Sequence, residues 1–119
     1  MKYVMLIYQG STPLPGTDEW EARSQEEQRA IYNDYGALNR TPGVTSGPPL
    51  GLPQNATTVR VEGGKTLTTD GPFVGMKEAI GGFFVYEADN LDEAIELAAR
   101  VPAARLGGAI EIRPVETYW

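Results

Sequence analysis

Two stretches of the chain are apolar on both of their alternating faces. In Lys2–Tyr8, Tyr3, Met5 and Ile7 alternate with Val4, Leu6 and Tyr8. In residues 81–88, Phe83 and Val85 alternate with Phe84, Tyr86 and Ala88. Successive strand side chains point to opposite faces. A strand that is apolar on both sides therefore belongs inside a sheet with cover on each side. The pattern predicts a further strand over residues 109–115, with Ile110 and Ile112 on one face and Glu111 and Arg113 on the other. Pro114 suits an edge position there. Residues 44–52 predict a short or edge strand, since Pro48, Pro49 and the following Pro53 cannot donate to a ladder. Residues 57–61 and 65–69 flank Glu62-Gly63-Gly64, and a Gly-Gly pair between β-branched runs signals a hairpin.

A period of three to four residues marks two helices. Ser24-Gln25-Glu26-Glu27 reads as a capping box opening a helix that runs to about residue 39. Gln28, Ile31, Tyr35 and Leu38 form its stripe, and Thr41-Pro42-Gly43 stops it. Asn90 caps the second helix, with Leu91, Ile95 and Ala98 as the expected buried stripe, and Pro102 ends or kinks it. Between the first strand and first helix lies a Gly- and Pro-containing loop in which Trp20 is expected to anchor on the core.

The elements then read strand, helix, strand, hairpin, strand, helix, strand. This is a ferredoxin-like βαββαβ plan of the α+β class, with a β-hairpin inserted before the third main strand. Two helices cover one face of such a sheet. The other face carries large apolar side chains from both central strands, more than a monomer usually exposes. A second copy is the expected cover, so a homodimer is predicted.

Composition narrows the function classes. Residues 1–119 fit a single domain. The net charge of −6 and scattered Arg residues give no basic footprint for nucleic acid. No apolar run is long enough for a membrane span, and residues 1–8 read as a buried strand rather than a leader, so a cytoplasmic location is expected. There is no Cys and no His. That removes thiolate chemistry, the commonest general base and the commonest metal ligand. No cofactor motif is present and none is expected; the Gly-Gly pairs lack the strand–loop–helix context of a phosphate cradle.

The candidate chemistry gathers at Asp70-Gly71-Pro72-Phe73 and Lys77-Glu78. Asp-Gly-Pro is strong turn chemistry, so Asp70 reads either as an Asx-turn residue or as a pocket carboxylate. Glu78 beside Asp70 would raise one carboxyl pKa by like-charge repulsion and make an acid or base; Lys77 and Glu78 read equally as a solvated pair. Glu111 and Arg113 share a strand face, where Arg113 could take a ligand carboxylate with Glu111 orienting the guanidinium, or the two form a structural ion pair. Tyr8 and Phe73 are aromatic enough to line a pocket, though core or interface packing explains aromatics equally well. The expectation is Asp70 and Glu78 as catalytic candidates, with Phe73, Lys77, Tyr8, Glu111 and Arg113 binding a small acidic metabolite. Asp70, Glu78 and Glu111 match no known metal loop, so no metal is expected.

Thr69-Asp70-Gly71-Pro72-Phe73, Lys77-Glu78, Gly81-Gly82-Phe83, Pro102-Ala103-Ala104-Arg105 and Ile110-Glu111-Ile112-Arg113-Pro114-Val115, in this order, resemble the YCII-related superfamily. The branch resembled is named for its DGPF motif, DGPFAETKE. The resemblance implies a dimeric α+β barrel. It also implies that a regulatory association is conceivable, because DGPF proteins are often encoded beside extracytoplasmic-function sigma factors. An accessory protein-binding module acting through residues 57–69 is thus the alternative to a small-molecule binder or enzyme. A His–Asp pair is proposed as the catalytic centre of some relatives. This chain has no His, carries Val101 where those relatives tend to have the Asp, and reads Val74-Gly75-Met76 for Ala-Glu-Thr.

Overall fold

The computed structural model describes residues 1–75 and 79–118. Its elements are β1 (Lys2–Tyr8), α1 (Asp18–Glu21), α2 (Gln25–Asn39), β2 (Val44–Ser46), β3 (Thr57–Glu62), β4 (Lys65–Asp70), β5 (Ile80–Glu87), α3 (Leu91–Ala98), α4 (Pro102–Arg105) and β6 (Ala109–Pro114). One 3₁₀ turn, Pro53–Asn55, precedes β3. Four strands form an antiparallel sheet in the order β2-β5-β1-β6, and β3 pairs only with β4 in a second sheet. The two strands that are apolar on both faces are thus the two central ones.

Both helix starts are built as their sequences predict. The Ser24 hydroxyl accepts from the Glu27 N–H at 3.1 Å, and Asn90 Oδ1 accepts from the Glu93 N–H at 2.9 Å. These bonds satisfy donors that a helix leaves open at its first turn. The reciprocal half of each box differs. The Glu27 carboxylate takes Arg23 at 3.2 Å, and Glu93 takes the Asp89 N–H at 3.2 Å.

The core lies between one sheet face and the helices. Tyr3, Met5 and Ile7 of β1 and Phe84 and Tyr86 of β5 pack against Leu38, Ala94, Leu97, Ala98, Val101 and Ala103, with Ile110 and Ile112 at the margin. Burial of each large apolar side chain contributes roughly 1.5–3 kcal/mol. Trp20 is buried, but edge-on to Tyr32 of α2 at 5.4 Å between ring centres and outside the main cluster.

Three expectations are corrected. No barrel forms: the sheets are open, with β2 and β6 as free edges of the larger one, so the fold is mixed α+β with two small open sheets. The second strand ends at Ser46 rather than near residue 52. Its last ladder-like bond is from the Gly47 N–H to the Phe83 carbonyl, after which Pro48 and Pro49 have no donor. The inner stripe of α3 is Ala94, Leu97 and Ala98, while Leu91 and Ile95 are each half exposed. Ala98 of the expected stripe is buried as predicted; Leu91 and Ile95 are not, and Ala94 and Leu97 take their place.

The hairpin turns at Gly63 and Gly64, with φ of +57° and +76°. Positive φ at both positions is the type I′ geometry that matches strand twist, and glycine adopts it without strain. All of β4 is exposed. The radius of gyration is 16.1 Å, against roughly 13.5 Å for a compact chain of this length.

Candidate functional site

β1, β5 and β6 place a second set of side chains on the sheet face away from the helices. Leu6 stands opposite Phe83 and Glu111, and Val4 opposite Val85 and Arg113. Phe83 is 39% exposed, while Val4, Leu6, Tyr8 and Val85 are half-buried. Among the described residues, the helices of the core pack on the opposite face, against Tyr3, Met5, Ile7, Phe84 and Tyr86. Arg113 Nε donates to Glu111 Oε2 at 2.6 Å along the same strand. That hydrogen bond, and then the Glu111 charge, hold the guanidinium even more firmly protonated than usual, with a smaller contribution from the Tyr8 phenol. Tyr8, Glu111 and Arg113 are therefore gathered on one surface.

Gln9 is the residue that sequence reasoning missed. It follows β1, and its side chain lies over Gly81 so closely that a Cβ there would have to displace it. Its Oε1 is buried without a hydrogen-bond partner among the described residues, as is Thr12 Oγ1. The signal was present in Gly81-Gly82, because glycine inside a strand marks a close approach.

The DGPF loop is held differently from an Asx-turn. The Gly71 N–H donates to the Ala56 carbonyl at 2.7 Å, and the Thr58 hydroxyl to the Gly71 carbonyl at 2.7 Å. Gly71 has φ +100°, which favours glycine. Asp70 ends β4, opposite Thr57, and among the described residues its carboxylate accepts no hydrogen bond. Phe73 is 74% exposed and lies under the Arg60 guanidinium at 5.8 Å. Lys77 and Glu78 lie outside the described residues.

Two depressions indent the helical side. One, of about 220 Å³, is lined by Asp34, Ala37, Leu38, Arg100 and Arg105. Arg105 Nη2 is 2.6 Å from Asp34 Oδ2 across 71 residues of sequence, a pairing with no local signature. The other, of about 360 Å³, lies along α2 at Gln25, Gln28, Arg29 and Tyr32. Beside the first, burial raises the Tyr35 phenol pKa, partly offset by the Ala103 N–H and Arg105. Burial likewise raises that of Tyr86, whose hydroxyl donates to Glu93 Oε1 at 3.2 Å; the Glu93 charge adds to the rise. Among the described residues no group of three acidic side chains is placed to hold a metal ion, and no helix is long and apolar enough to cross a membrane.

Comparison with known proteins agrees along the whole length. An uncharacterised protein of Rhizobium meliloti (strain 1021) is 32% identical over 123 residues, covering 99% of this chain and 94% of its own. The YCII-related domain family matches residues 1–118. The chain belongs to the YCII-related family.

Proposed function

We propose that this is a DGPF-type member of the YCII-related family that works as a homodimer and binds a small acidic metabolite. The observation that carries the reading is the uncovered sheet face: Val4, Leu6, Phe83 and Val85 form an apolar floor bordered by the Glu111–Arg113 pair. An apolar floor with a few placed polar groups is the usual make-up of a small-ligand site. Arg113 supplies a planar fork for a carboxylate, and Glu111 fixes its orientation. Tyr8 supplies an aromatic wall. If the site turns over its ligand, Asp70 and Glu78 are the proton-transfer groups, since the chain contains neither His nor Cys.

The test joins assembly to binding. Sedimentation at micromolar concentration is expected to give a dimer. A panel of small mono- and dicarboxylates is expected to raise the melting temperature of the native protein, and Arg113→Gln to abolish that rise. A monomer with no response to any acid overturns the reading.

A second reading rests on one different feature. The β3–β4 hairpin exposes Val59, Val61 and Leu67, which suits an accessory module that docks another protein, such as a transcription regulator. Loss of a protein partner on hairpin substitution, with acid binding untouched, selects it.

A further inference from the structure

Two arginines open onto one hollow of the helical side. The depression of about 220 Å³ is lined by Ala37 and Leu38 and by the charged groups Asp34, Arg100 and Arg105. Asp34, Ala37 and Leu38 stand at spacings of three and four on α2, so one face of that helix supplies all three. The arginines bracket the corner between α3 and α4. The middle of that corner is sealed, with Val101 and Ala103 at 0% exposure and Pro102 buried between them. The Arg100 N–H donates to the Leu97 carbonyl at 3.0 Å, and the Leu106 N–H to the Pro102 carbonyl at 3.2 Å. Both arginines therefore project from backbone that the core holds in place.

Their charges are satisfied unequally. Arg105 Nη2 donates to Asp34 Oδ2 at 2.6 Å. Both side chains of that pair are nearly half exposed, so the pair adds little to stability. Its main consequence is orientation: a guanidinium carries five N–H donors in a rigid fork, and one held donor aims the others. Arg100 forms no ion pair and no side-chain hydrogen bond among the described residues. The chain has 16 acidic against 10 basic side chains, so partners for a lone arginine are in surplus, and none is placed here. The hollow is left with one positive charge in excess, in a chain of net charge −6.

The donors select the kind of anion. A planar carboxylate fills one fork, whereas a tetrahedral phosphate presents oxygens to two forks that come from different elements. A phosphate monoester carries a charge of about −1.5 to −2 near pH 7. That matches one arginine without a partner and one partly neutralised by Asp34. Drug-sized ligands occupy pockets of roughly 300–1,000 Å³. A hollow of about 220 Å³ suits a phosphate with a short carbon tail.

We propose that Arg100 and Arg105 bind the phosphoryl group of a small phosphate monoester in this depression, with Asp34 as the positioning residue for Arg105 and with Ala37 and Leu38 bedding the carbon tail. The site lies on the helical side, whereas Arg113 edges the other face of the sheet, and it needs no second chain.

Proton–nitrogen correlation spectra of the whole protein are followed while inorganic phosphate, and separately glycerol phosphate, is added at an ionic strength held constant with chloride. Saturable shifts are expected at the backbone N–H groups of Ala37, Arg100 and Arg105. Arg100→Gln is expected to weaken phosphate binding at least fivefold without moving the melting temperature of the unliganded protein, because Arg100 holds no partner in the fold. Ala37→Leu keeps both arginines and a good helix former but fills the hollow, and is expected to weaken glycerol phosphate at least fivefold. Arg105→Lys keeps the charge opposite Asp34, loses the fork, and is expected to weaken both probes at least threefold. Arg113→Gln is expected to leave both phosphate titrations unchanged, so this site and the acid site on the sheet face fail separately. Shifts that do not saturate, or binding that survives Arg100→Gln and Ala37→Leu, overturn the proposal. Loss of phosphate binding on Arg113→Gln overturns it as well.

Discussion

Met5 faces Phe84 across the two central strands, and one residue along Leu6 faces Phe83. The first pair is sealed under α2, α3 and α4, with Met5 at 0% and Phe84 at 6% exposure. The second lies on the other side of the same sheet, where Phe83 is 39% exposed. Hydrophobicity is similar on the two sides; what differs is whether a second layer exists. The strand sequences demand cover on both sides, whereas the helices encoded beside them supply it on one. Apolar patterning reports where a layer is needed, not which chain provides it.

The contrast can be broken most severely at its buried end. Met5→Ala is expected to cost about 2–5 kcal/mol, because the helices above it cannot collapse fully into the void. Phe83→Ala, measured by urea unfolding at low protein concentration, is expected to cost the protomer on the order of 1 kcal/mol, since part of the ring already meets water. Equal costs for the two would erase the distinction between the faces. Asn90→Ala and Ser24→Ala are each expected to lose about 1 kcal/mol in the same melts through loss of the caps that start the covering helices.

A pH series sharpens the contrast further. Tyr35 and Tyr86 belong to the covered side, and burial raises both phenol pKa values above the ordinary value near 10. The unfolded chain therefore loses these protons first as pH rises. Their contribution to stability is fully present below about pH 10, the unfolded value, and is lost as pH climbs from there through the folded values. Tyr35→Phe and Tyr86→Phe are expected to flatten the alkaline limb of stability against pH, with no change near neutrality in its slope. The smallest effect is expected at Glu111→Gln on the uncovered side. An exposed ion pair is worth little, so thermal melts of the protein without ligand should coincide with those of the parent.

Much of this architecture was legible because it is local. The caps at Ser24 and Asn90, the Gly63-Gly64 turn and the two-sided apolar strands each depend on residues a few positions apart. What could not be read depends on distant or quantitative matters. The Asp34–Arg105 pair spans 71 residues and leaves no local trace. The buried side of α3 carries two small alanines beside Leu97, a face that apolar bulk alone does not mark, and the barrel failed because nothing in strand periodicity fixes closure. Of the candidate site, Glu111 and Arg113 were legible as a same-face pair from their spacing of two. Gln9 was not, since its position depends on the bend that carries it over Gly81.

The principal extents of the molecule are 49, 41 and 19 Å. A helix layer and a sheet layer, packed about 10 Å apart, account for nearly all of the shortest dimension. The two depressions on its helical side are open to solvent rather than enclosed. Whatever it recognises must rest on its skin or in a seam between bodies, so changes in specificity are to be sought among rim residues while the packed interior stays constant.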